Sequence, residues 1–139
     1  MTRYLQLLAL LATTLVFTGC ATQQANVDHS AFRQHQPKSI LVLPPLNNTS
    51  DLRATYSVMS STTLPLAEAG YYVFPVALVD QTFKENGLQN PGEMHQASLE
   101  KLNEIFGADA ALYITIKNYG AASALAGGSV VVTAEAVLI

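Results

Sequence analysis

A short apolar run that ends at the single cysteine of the chain decides which residues are left to form a domain. Arg3 precedes the run Tyr4–Phe17, and Thr18-Gly19-Cys20 follows it. A helix of this length measures about 21 Å at ~1.5 Å per residue, whereas the hydrocarbon core of a bilayer is about 30 Å thick. The length therefore favours the hydrophobic region of a signal peptide over a membrane span.

Small residues stand directly before Cys20, which is typical of the bacterial lipobox. In that chemistry the thiol receives a diacylglycerol group, and a peptidase then cleaves the chain, here between Gly19 and Cys20. Phe17 departs from the pattern, in which leucine usually lies three residues before the cysteine. We predict that residues 1–19 are a signal peptide. We also predict that Cys20 carries acyl chains, palmitate among them, which hold the protein at a membrane because each buried CH₂ contributes ~0.8 kcal/mol.

The residues that follow the lipidation site are polar, and we predict that residues 20–36 form a flexible tether. Fully extended, this tether reaches at most ~60 Å. His29 and His35 lie in it, but no cysteine or carboxylate cluster joins them, so we predict no metal site. Ala21 stands where an aspartate would indicate retention at the inner membrane. The sequence therefore predicts a protein of the cell envelope that is anchored by lipid at the outer membrane and faces the periplasm.

Charge and composition limit the partners of the remaining residues, 37–139. The full chain has a net charge of −3, and removal of residues 1–19 takes away Arg3 and no acid, which leaves −4. The remaining basic residues are scattered, so no basic patch predicts nucleic-acid binding. Half of the chain is apolar and 12% is charged, which indicates a folded domain rather than disorder.

Apolar periodicity predicts one α/β (or α+β) domain, in which helices pack on a small mixed sheet. The run Ile40-Leu41-Val42-Leu43 is typical of a strand that is buried on both faces, and Pro44-Pro45 ends it. The order is β-α-β-(α)-α-β-β, and the last two strands form a hairpin. The predicted elements are the strand 40–43, a helix 52–63 capped by Ser50 or Asp51 that kinks or restarts at Pro65, the strand 71–74, the helices 76–83 and 90–106, and the strands 110–119 and 129–139.

The chain stops at Val137-Leu138-Ile139, within an apolar strand. A free carboxylate there would stand where a strand ladder or a turn should continue. We therefore expect the last strands to be truncated, and the domain 37–139 to be incomplete at its C-terminus.

The chain offers few residues for catalysis. His95 is alone on a predicted helix face, and we predict that it faces solvent. The hydroxyl-rich segment 57–63 has no lysine or histidine motif beside it and is predicted to be a polar helix face. Gly127-Gly128 lacks the lysine and the helix of a phosphate-binding loop. We predict no catalytic residue, no cofactor and no enzyme activity. Five acids could include a paired acid and base, although most fall on exposed helical positions: Asp80, Glu85, Glu93, Glu100 and Glu104. Asp109 follows Gly107 at the start of a strand and is predicted to be a turn acid.

Three segments of the chain resemble a family of bacterial lipoproteins of unknown function, the genome-derived neisserial antigen-like lipoproteins. These segments are Leu43–Ser50, Leu64–Val76 and Phe106–Ala110, and the resemblance extends over roughly the whole chain. It implies a domain similar to the amino-terminal domain of the translocation protein TolB and, more loosely, to the curli-secretion lipoprotein. It also implies an envelope role in assembly or transport, with no catalytic residues to carry over. Family members usually continue with an Asp-rich turn and another strand.

We expect a non-catalytic binding, assembly or transport-accessory module of the cell envelope, with another envelope protein or a second copy as its partner. Its contact surface would be an exposed sheet edge or the apolar loop Ala121–Ala126. The alternative is a periplasmic hydrolase acting on envelope material. That activity needs a cleft that joins Asp80, His95 or Asp109 to the hydroxyls of segment 57–63.

Overall fold

A computed structural model of the chain describes residues 28–121 and 130–139. The predicted signal peptide, Gly19, Cys20 and nearly all of the loop Ala121–Ala126 lie outside the described residues. The strands are β1 (Ser39–Val42), β2 (Leu46–Asn47), β3 (Tyr72–Val73), β4 (Ala110–Ala121) and β5 (Val130–Leu138). The helices are α1 (Ser30–His35), α2 (Ala54–Glu68), α3 (Val76–Glu85), α4 (Pro91–Gln96) and α5 (Leu99–Phe106).

Helix α1 lies in the segment for which the sequence predicts only a flexible tether. The Asp28 carboxylate accepts a hydrogen bond of 2.8 Å from the backbone N–H of Ser30, which satisfies a donor at the start of the helix. That bond also lowers the pKa of Asp28. No residue of α1 is buried. Contacts group the chain into two units, Met1–Arg33 and Gln34–Ile139, and the predicted boundary at residue 37 stays a prediction.

The sheet is mixed, as the sequence predicts. β1 pairs in parallel with β3 on one side and with β4 on the other, where Ile40 lies opposite Ala110. β2 continues along the same edge of β4, with Leu46 opposite Thr115. The residue numbers of the pair Ile40 and Ala110 differ by 70, whereas those of the pair Leu46 and Thr115 differ by 69. The segment around Pro44-Pro45 therefore holds one residue more than the part of β4 beside it.

β5 pairs antiparallel with the opposite edge of β4, so the predicted pairing of the last two strands is confirmed. Leu112 lies opposite Leu138 near one end of the ladder, and Ala121 lies opposite Val130 at the other. The register shifts by one residue between Ile116 and Asn118, which is the pattern of a β-bulge. All nine residues of β5 are exposed.

The core is built around β1, whose apolar run 40–43 is at most 1% exposed. Consecutive residues of a strand point to opposite faces, so burial of all four means that both faces of β1 are covered. The connection from β1 to β3 and the connection from β3 to β4 run in opposite directions across the sheet. Because such crossovers are right-handed, α2 covers one face and α3–α5 cover the other. The largest fully buried side chain is that of Phe83, whose ring centroid lies 5.1 Å from that of Phe106.

Helix α2 begins later than the sequence predicts and continues through Pro65 without a break. Asp51 does not cap a helix that starts at residue 52. Its carboxylate accepts hydrogen bonds from the backbone N–H (2.9 Å) and the guanidinium of Arg53, and these bonds lower the pKa of Asp51 to about 2. The helix itself starts at Ala54. Gly70, just past its end, has the positive φ of 96° that the sequence predicts for a helix stop.

The predicted single helix 90–106 is wrong, because two helices occupy this segment. Ala97 has an extended backbone (ψ 137°), and the Ser98 hydroxyl accepts a hydrogen bond of 3.2 Å from the N–H of Lys101. Serine in this position starts a new helix, so α5 begins at residue 99. The predicted stop at Gly107 is confirmed, with a left-handed φ of 66°.

Candidate functional site

The lipidation site is the functional residue that the sequence predicts most directly, and it stays a prediction. Gly19 and Cys20 precede residue 28, at which the description of the structure begins. Within the described residues, no helix is both long and apolar enough to span a membrane. The sites that the structure can assess are therefore on the folded unit.

The break between β1 and β2 gathers side chains from two helices around two buried prolines. Pro44 and Pro45 are among the fully buried residues, so their carbonyls need hydrogen-bond donors. The Thr55 hydroxyl of α2 lies 3.5 Å from the Pro45 oxygen, and Nε2 of His95 on α4 lies 3.0 Å from the Pro44 oxygen. Each carbonyl thus has a side-chain partner from a different helix.

The prediction that His95 faces solvent is wrong. Its ring is half-buried and stands edge-on to the Tyr113 ring, with 5.3 Å between the centroids. Burial lowers the pKa of His95, while the hydrogen bond to the Pro44 carbonyl acts in the opposite direction. A carbonyl accepts only from an N–H, so the neutral ring carries its proton on Nε2. His95 is thereby a donor to the backbone of the β1–β2 break.

Asp109 is committed to backbone contacts at the other end of β1. One carboxylate oxygen, Oδ2, accepts from the N–H groups of Lys38 and Ser39, both at 2.9 Å, and from the Ser39 hydroxyl at 3.0 Å. The N–H of Asp109 in turn donates to the Ser39 hydroxyl at 3.0 Å. These bonds lower the pKa of Asp109 and join the starts of the two parallel strands β1 and β4.

The structure does not bring Asp109 and His95 together. Asp109 contacts Ser39, and His95 contacts Pro44, five residues farther along the chain. At ~3.3 Å per residue of extended chain, these two contacts are roughly 16 Å apart. A cavity of about 350 Å³ lies beside Asp109, between α5 and the start of β4. Glu100 also lines this cavity, whereas His95 and the other predicted acids do not.

Asp80 does meet α2, but through a tyrosine rather than through the predicted hydroxyl face. The Tyr56 hydroxyl donates to one oxygen of Asp80 at 3.2 Å, and Lys84 donates to the other at 2.6 Å. Sequence reasoning missed both partners, although the i, i+4 spacing of Asp80 and Lys84 was a usable signal. The hydroxyls of Ser61, Thr62 and Thr63 donate to carbonyls of their own helix.

The remaining predicted acids make local contacts or have no described partner. Glu93 accepts from the Gln89 N–H, Glu85 accepts from the Gln81 amide, and Glu104 pairs with Lys101. Within the part of the chain that the structure describes, no group of three or more histidine, cysteine or acidic side chains could hold a metal ion.

The exposed face of α2 carries little charge for the solvent side of a helix. At 100° per residue the exposed positions fall on one side of the helix, and Glu68 in the last turn is the single charged residue of α2. Leu64 is 63% exposed and Tyr56 is 49% exposed. We call this surface the α2 face; its residues are Tyr56, Ser60, Ser61, Leu64 and Ala67.

Charged groups stand at both ends of the α2 face and beside it, and Glu68 lies on the same side of the helix in its last turn. The ion pair of Arg53 with Asp51 (2.8 Å) stands before the first turn, and the pair of Lys84 with Asp80 (2.6 Å) lies beside Tyr56. An uncharged centre within a charged rim is the usual composition of a protein–protein contact.

The outer edge of β5 is the predicted exposed sheet edge. Ala111 and Ile139 exchange both backbone hydrogen bonds, so odd-numbered residues of β5 bond to β4 and even-numbered residues point their N–H and C=O groups outward. The described residues place no strand on this edge. A strand of the same polypeptide and a strand of a partner would pair with it equally well, so the edge identifies no partner.

A mixed sheet with a central parallel strand, covered by helices on both faces, defines a small α/β domain. Comparison with known proteins places the domain in a family: residues 27–139 match the family model described as "Putative lipoprotein GNA1162-like". The chain belongs to this family of lipoproteins, and the resemblance that the sequence predicts is confirmed. The likeness to TolB stays a prediction.

Two relatives support the assignment. The chain is 46% identical over 130 residues to "Putative lipoprotein NMB1124/NMB1162" of Neisseria meningitidis serogroup B. The alignment covers 93% of this chain and 60% of the relative, so the chain spans less than two thirds of that relative's length. The crystal structure of lipoprotein GNA1162 from Neisseria meningitidis matches with a TM-score of 0.65 and 48% identity. That match covers 74% of this chain and 72% of the other, and it confirms the predicted fold class.

Proposed function

We propose that the protein is a non-catalytic docking module of the cell envelope, which is held by lipid on Cys20 at the outer membrane and binds a protein partner through the α2 face. The observation that carries the proposal is that a helix of 15 residues turns to solvent a surface whose single charged residue, Glu68, lies in the last turn. Membership of a lipoprotein family supports the anchor. Ala21 after the lipidated cysteine favours the outer membrane, with the domain in the periplasm.

The composition of the α2 face favours contact with protein over contact with water. The exposed side of a surface helix ordinarily carries charged and polar residues, whereas Tyr56 and Leu64 here present apolar surface. Tyrosine offers a large apolar ring together with one hydrogen-bonding group, which is why it is frequent at protein interfaces. Lysine and glutamate, which are depleted at the centres of interfaces, are absent from the middle of α2.

One hydroxyl of the α2 face already has a hydrogen-bond partner, because Ser61 donates to the Ser57 carbonyl at 2.8 Å. A hydroxyl that already has a partner loses little on leaving water, whereas an unpaired one costs roughly 1–3 kcal/mol. Ser61 therefore adds little to the cost of burying the α2 face.

Site-specific photo-crosslinking in intact cells tests the proposal. A photoreactive residue in place of Ser60 should give one discrete protein adduct. The same residue in place of Gln81, which is exposed on α3, should give none. If the Ser60 position yields no protein adduct, or the same adducts as Gln81, the α2 face is not a docking surface.

A pair of matched substitutions adds specificity to this test. Leu64 and Leu78 are exposed leucines on two different helices, 63% and 49% exposed. Leu64→Glu should abolish the Ser60 adduct because it places a charge at the contact, whereas Leu78→Glu should leave the adduct intact. Equal loss in both variants would point to a general effect of added charge and contradict docking through α2.

A further inference from the structure

We propose that Asn86, at the end of α3, is a site of spontaneous covalent modification, at which the backbone nitrogen of Gly87 closes a ring on the side-chain amide and turns the asparagine into an acid. The last turn of α3 controls how often this reaction can occur. The inference is independent of the docking function, since it concerns a different helix and needs no partner.

The sequence sets this asparagine apart from the others, because Asn86 alone among the asparagines of the chain is followed by glycine. Ring closure requires the next backbone nitrogen to approach the side-chain carbonyl carbon. Glycine presents that nitrogen without a Cβ to hinder the approach. Both residues are exposed, so water can reach them. Sequence and exposure together make Asn86 the most reactive amide of the described residues.

The reaction needs only these two residues and water. The Gly87 nitrogen loses its proton and attacks Cγ of Asn86. A bond forms between these two atoms, the bond from Cγ to the side-chain nitrogen breaks, and ammonia leaves. Water then adds to either carbonyl of the resulting cyclic imide and opens the ring. One opening leaves an ordinary aspartate, and the other leaves an isoaspartate, in which the main chain runs through Cβ and Cγ.

The folded state holds the two reacting groups apart. Asn86 has a ψ of 11°, which places the Gly87 nitrogen beside the Asn86 nitrogen and away from the side chain. The Gly87 N–H donates to the Lys84 carbonyl at 3.1 Å. The side-chain Nδ2 of Asn86 donates to the Thr82 carbonyl at 2.9 Å. The ring can therefore close only when this turn opens.

The turn that holds these groups is a Schellman motif. Gly87 has the left-handed φ of 82°, and the N–H of Leu88 donates to the Phe83 carbonyl at 3.0 Å. The Leu88 side chain packs against the core, to which Phe83 belongs. Opening the turn removes Leu88 from this packing. Because local opening is fast compared with ring closure, the rate of modification follows the fraction of molecules in which the turn is open.

Either product weakens the end of α3. The amide that donates to the Thr82 carbonyl becomes a carboxylate, which repels that carbonyl and the negative end of the helix dipole. Isoaspartate also adds one carbon atom to the main chain, so Gly87 and Leu88 no longer reach their two carbonyls in register. We therefore expect the turn to open more often once it has been modified.

Mass spectrometry of the full-length protein, aged in neutral buffer, tests the site. Trypsin cleaves after Lys84 and Lys101, so one peptide contains both Asn86 and Asn90. Asn90 is an internal control, because the nitrogen of Pro91 carries no hydrogen and cannot close the ring in this way. Position 86 should show the mass change from amide to acid, with isoaspartate among the products. Conversion at position 86 no greater than at position 90 overturns the proposal.

Two leucine variants test the control by the turn. Leu88→Ala removes the packing that holds the turn closed, and it should raise the conversion of Asn86 roughly tenfold, as ~1.4 kcal/mol of easier opening would. Leu78→Ala changes a leucine of the same helix that is 49% exposed, and it should leave the rate unchanged. Circular dichroism establishes that both variants are folded.

The unfolded chain supplies a second measurement that needs no variant. In urea the turn is absent, so Asn86 should convert at least tenfold faster than in the folded protein. Equal rates in the folded and the unfolded protein, or in Leu88→Ala and Leu78→Ala, would show that the last turn of α3 does not control the reaction and would overturn this part of the inference.

Discussion

The His95 side chain supplies a hydrogen bond to the backbone at the break between β1 and β2. The Pro44 carbonyl is buried, and the structure gives it the Nε2 group of His95 as its donor. The sequence did not predict this contact, because the two residues are 51 positions apart and neither lies in a recognisable motif. What could be predicted was the break itself, since Pro44-Pro45 cannot donate to a ladder.

Replacing His95 should separate its hydrogen bond from its ring packing. His95→Leu leaves the buried Pro44 carbonyl without a donor and should lower the free energy of unfolding by roughly 1–3 kcal/mol. His95→Gln keeps an amide N–H at a similar reach and should lose less than half of that. Urea denaturation of the two variants measures the difference, and equal losses would mean that the ring contact with Tyr113 matters more.

Asp109 should contribute to acid denaturation. Its hydrogen bonds lower its pKa below the ordinary value of 3.8, so the folded state favours the carboxylate. The stabilisation is present above pH 3.8 and is lost as the pH falls through the lowered pKa. Asp109→Asn should therefore flatten the fall of stability with acid, measured by urea denaturation between pH 5 and pH 2.5.

The exposed carboxyl of Glu100 provides the control for this prediction. It lies near Asp109 in the fold but has no hydrogen bond among the described contacts. Glu100→Gln removes one carboxyl charge but none of the described hydrogen bonds, so it separates the effect of net charge from that of the bonds of Asp109. An identical change in both variants would attribute the effect to net charge rather than to the bonds of Asp109.

Single residues decide where the helices begin and end. Gly107 was predictable as a helix stop because a left-handed residue there favours glycine, and its φ is 66°. Ser98 was equally available as a start signal. The apolar spacing of Met94, Leu102 and Ile105 concealed it, because these residues fit one continuous helix as well as two short ones.

Removing the cap of α5 should measure how much this start signal contributes. Ser98→Ala deletes the acceptor of the Lys101 N–H and should lower the free energy of unfolding by ~1 kcal/mol. Ser98→Asp keeps an acceptor and adds a favourable charge at the helix start, so it should match or exceed the unchanged protein. Thermal denaturation followed by circular dichroism tests the order of the three proteins.

Pro65 shows why a strong breaking signal can be overridden. Proline removes one hydrogen bond in a helix, here the bond that would reach the Ser61 carbonyl. Both residues are exposed, so water can bond to that carbonyl. The helix continues because Leu66 packs against the core and Ala69 donates to the Pro65 carbonyl at 3.0 Å. The sequence alone does not show which side of a helix is exposed to solvent.

At the scale of the whole molecule, the class and the order of elements follow from the sequence, whereas the surfaces do not. Apolar runs and prolines predicted a mixed sheet with a buried first strand. The uncharged α2 face went unnoticed because segment 57–63 contains many hydroxyls, and a hydroxyl that bonds its own helix cannot be told from a solvated one by sequence.

The predicted attachment of the whole molecule to a membrane depends on one thiol, that of Cys20. Cys20→Ser removes the acceptor of the diacyl group, so the variant should keep its signal peptide and move from the membrane fraction to the soluble fraction. Cell fractionation with immunoblotting measures this shift, and Thr22→Ser is the control. A Cys20→Ser protein that stays with membranes, or an unmodified Met1 in mass spectra of the membrane form, would contradict the anchor.

The central position of β1 has a consequence for the order in which the chain folds. Ile40 pairs with Val73 on one edge, 33 residues farther along, and with Ala110 on the other edge, 70 residues farther along. The longer loop costs more entropy to close, so we expect β3 to pair before β4. Until β4 arrives, four consecutive apolar residues stand in a strand with one open edge, which another chain can pair with. We therefore expect a chaperone that shields residues 40–43 before β4 has paired to limit aggregation.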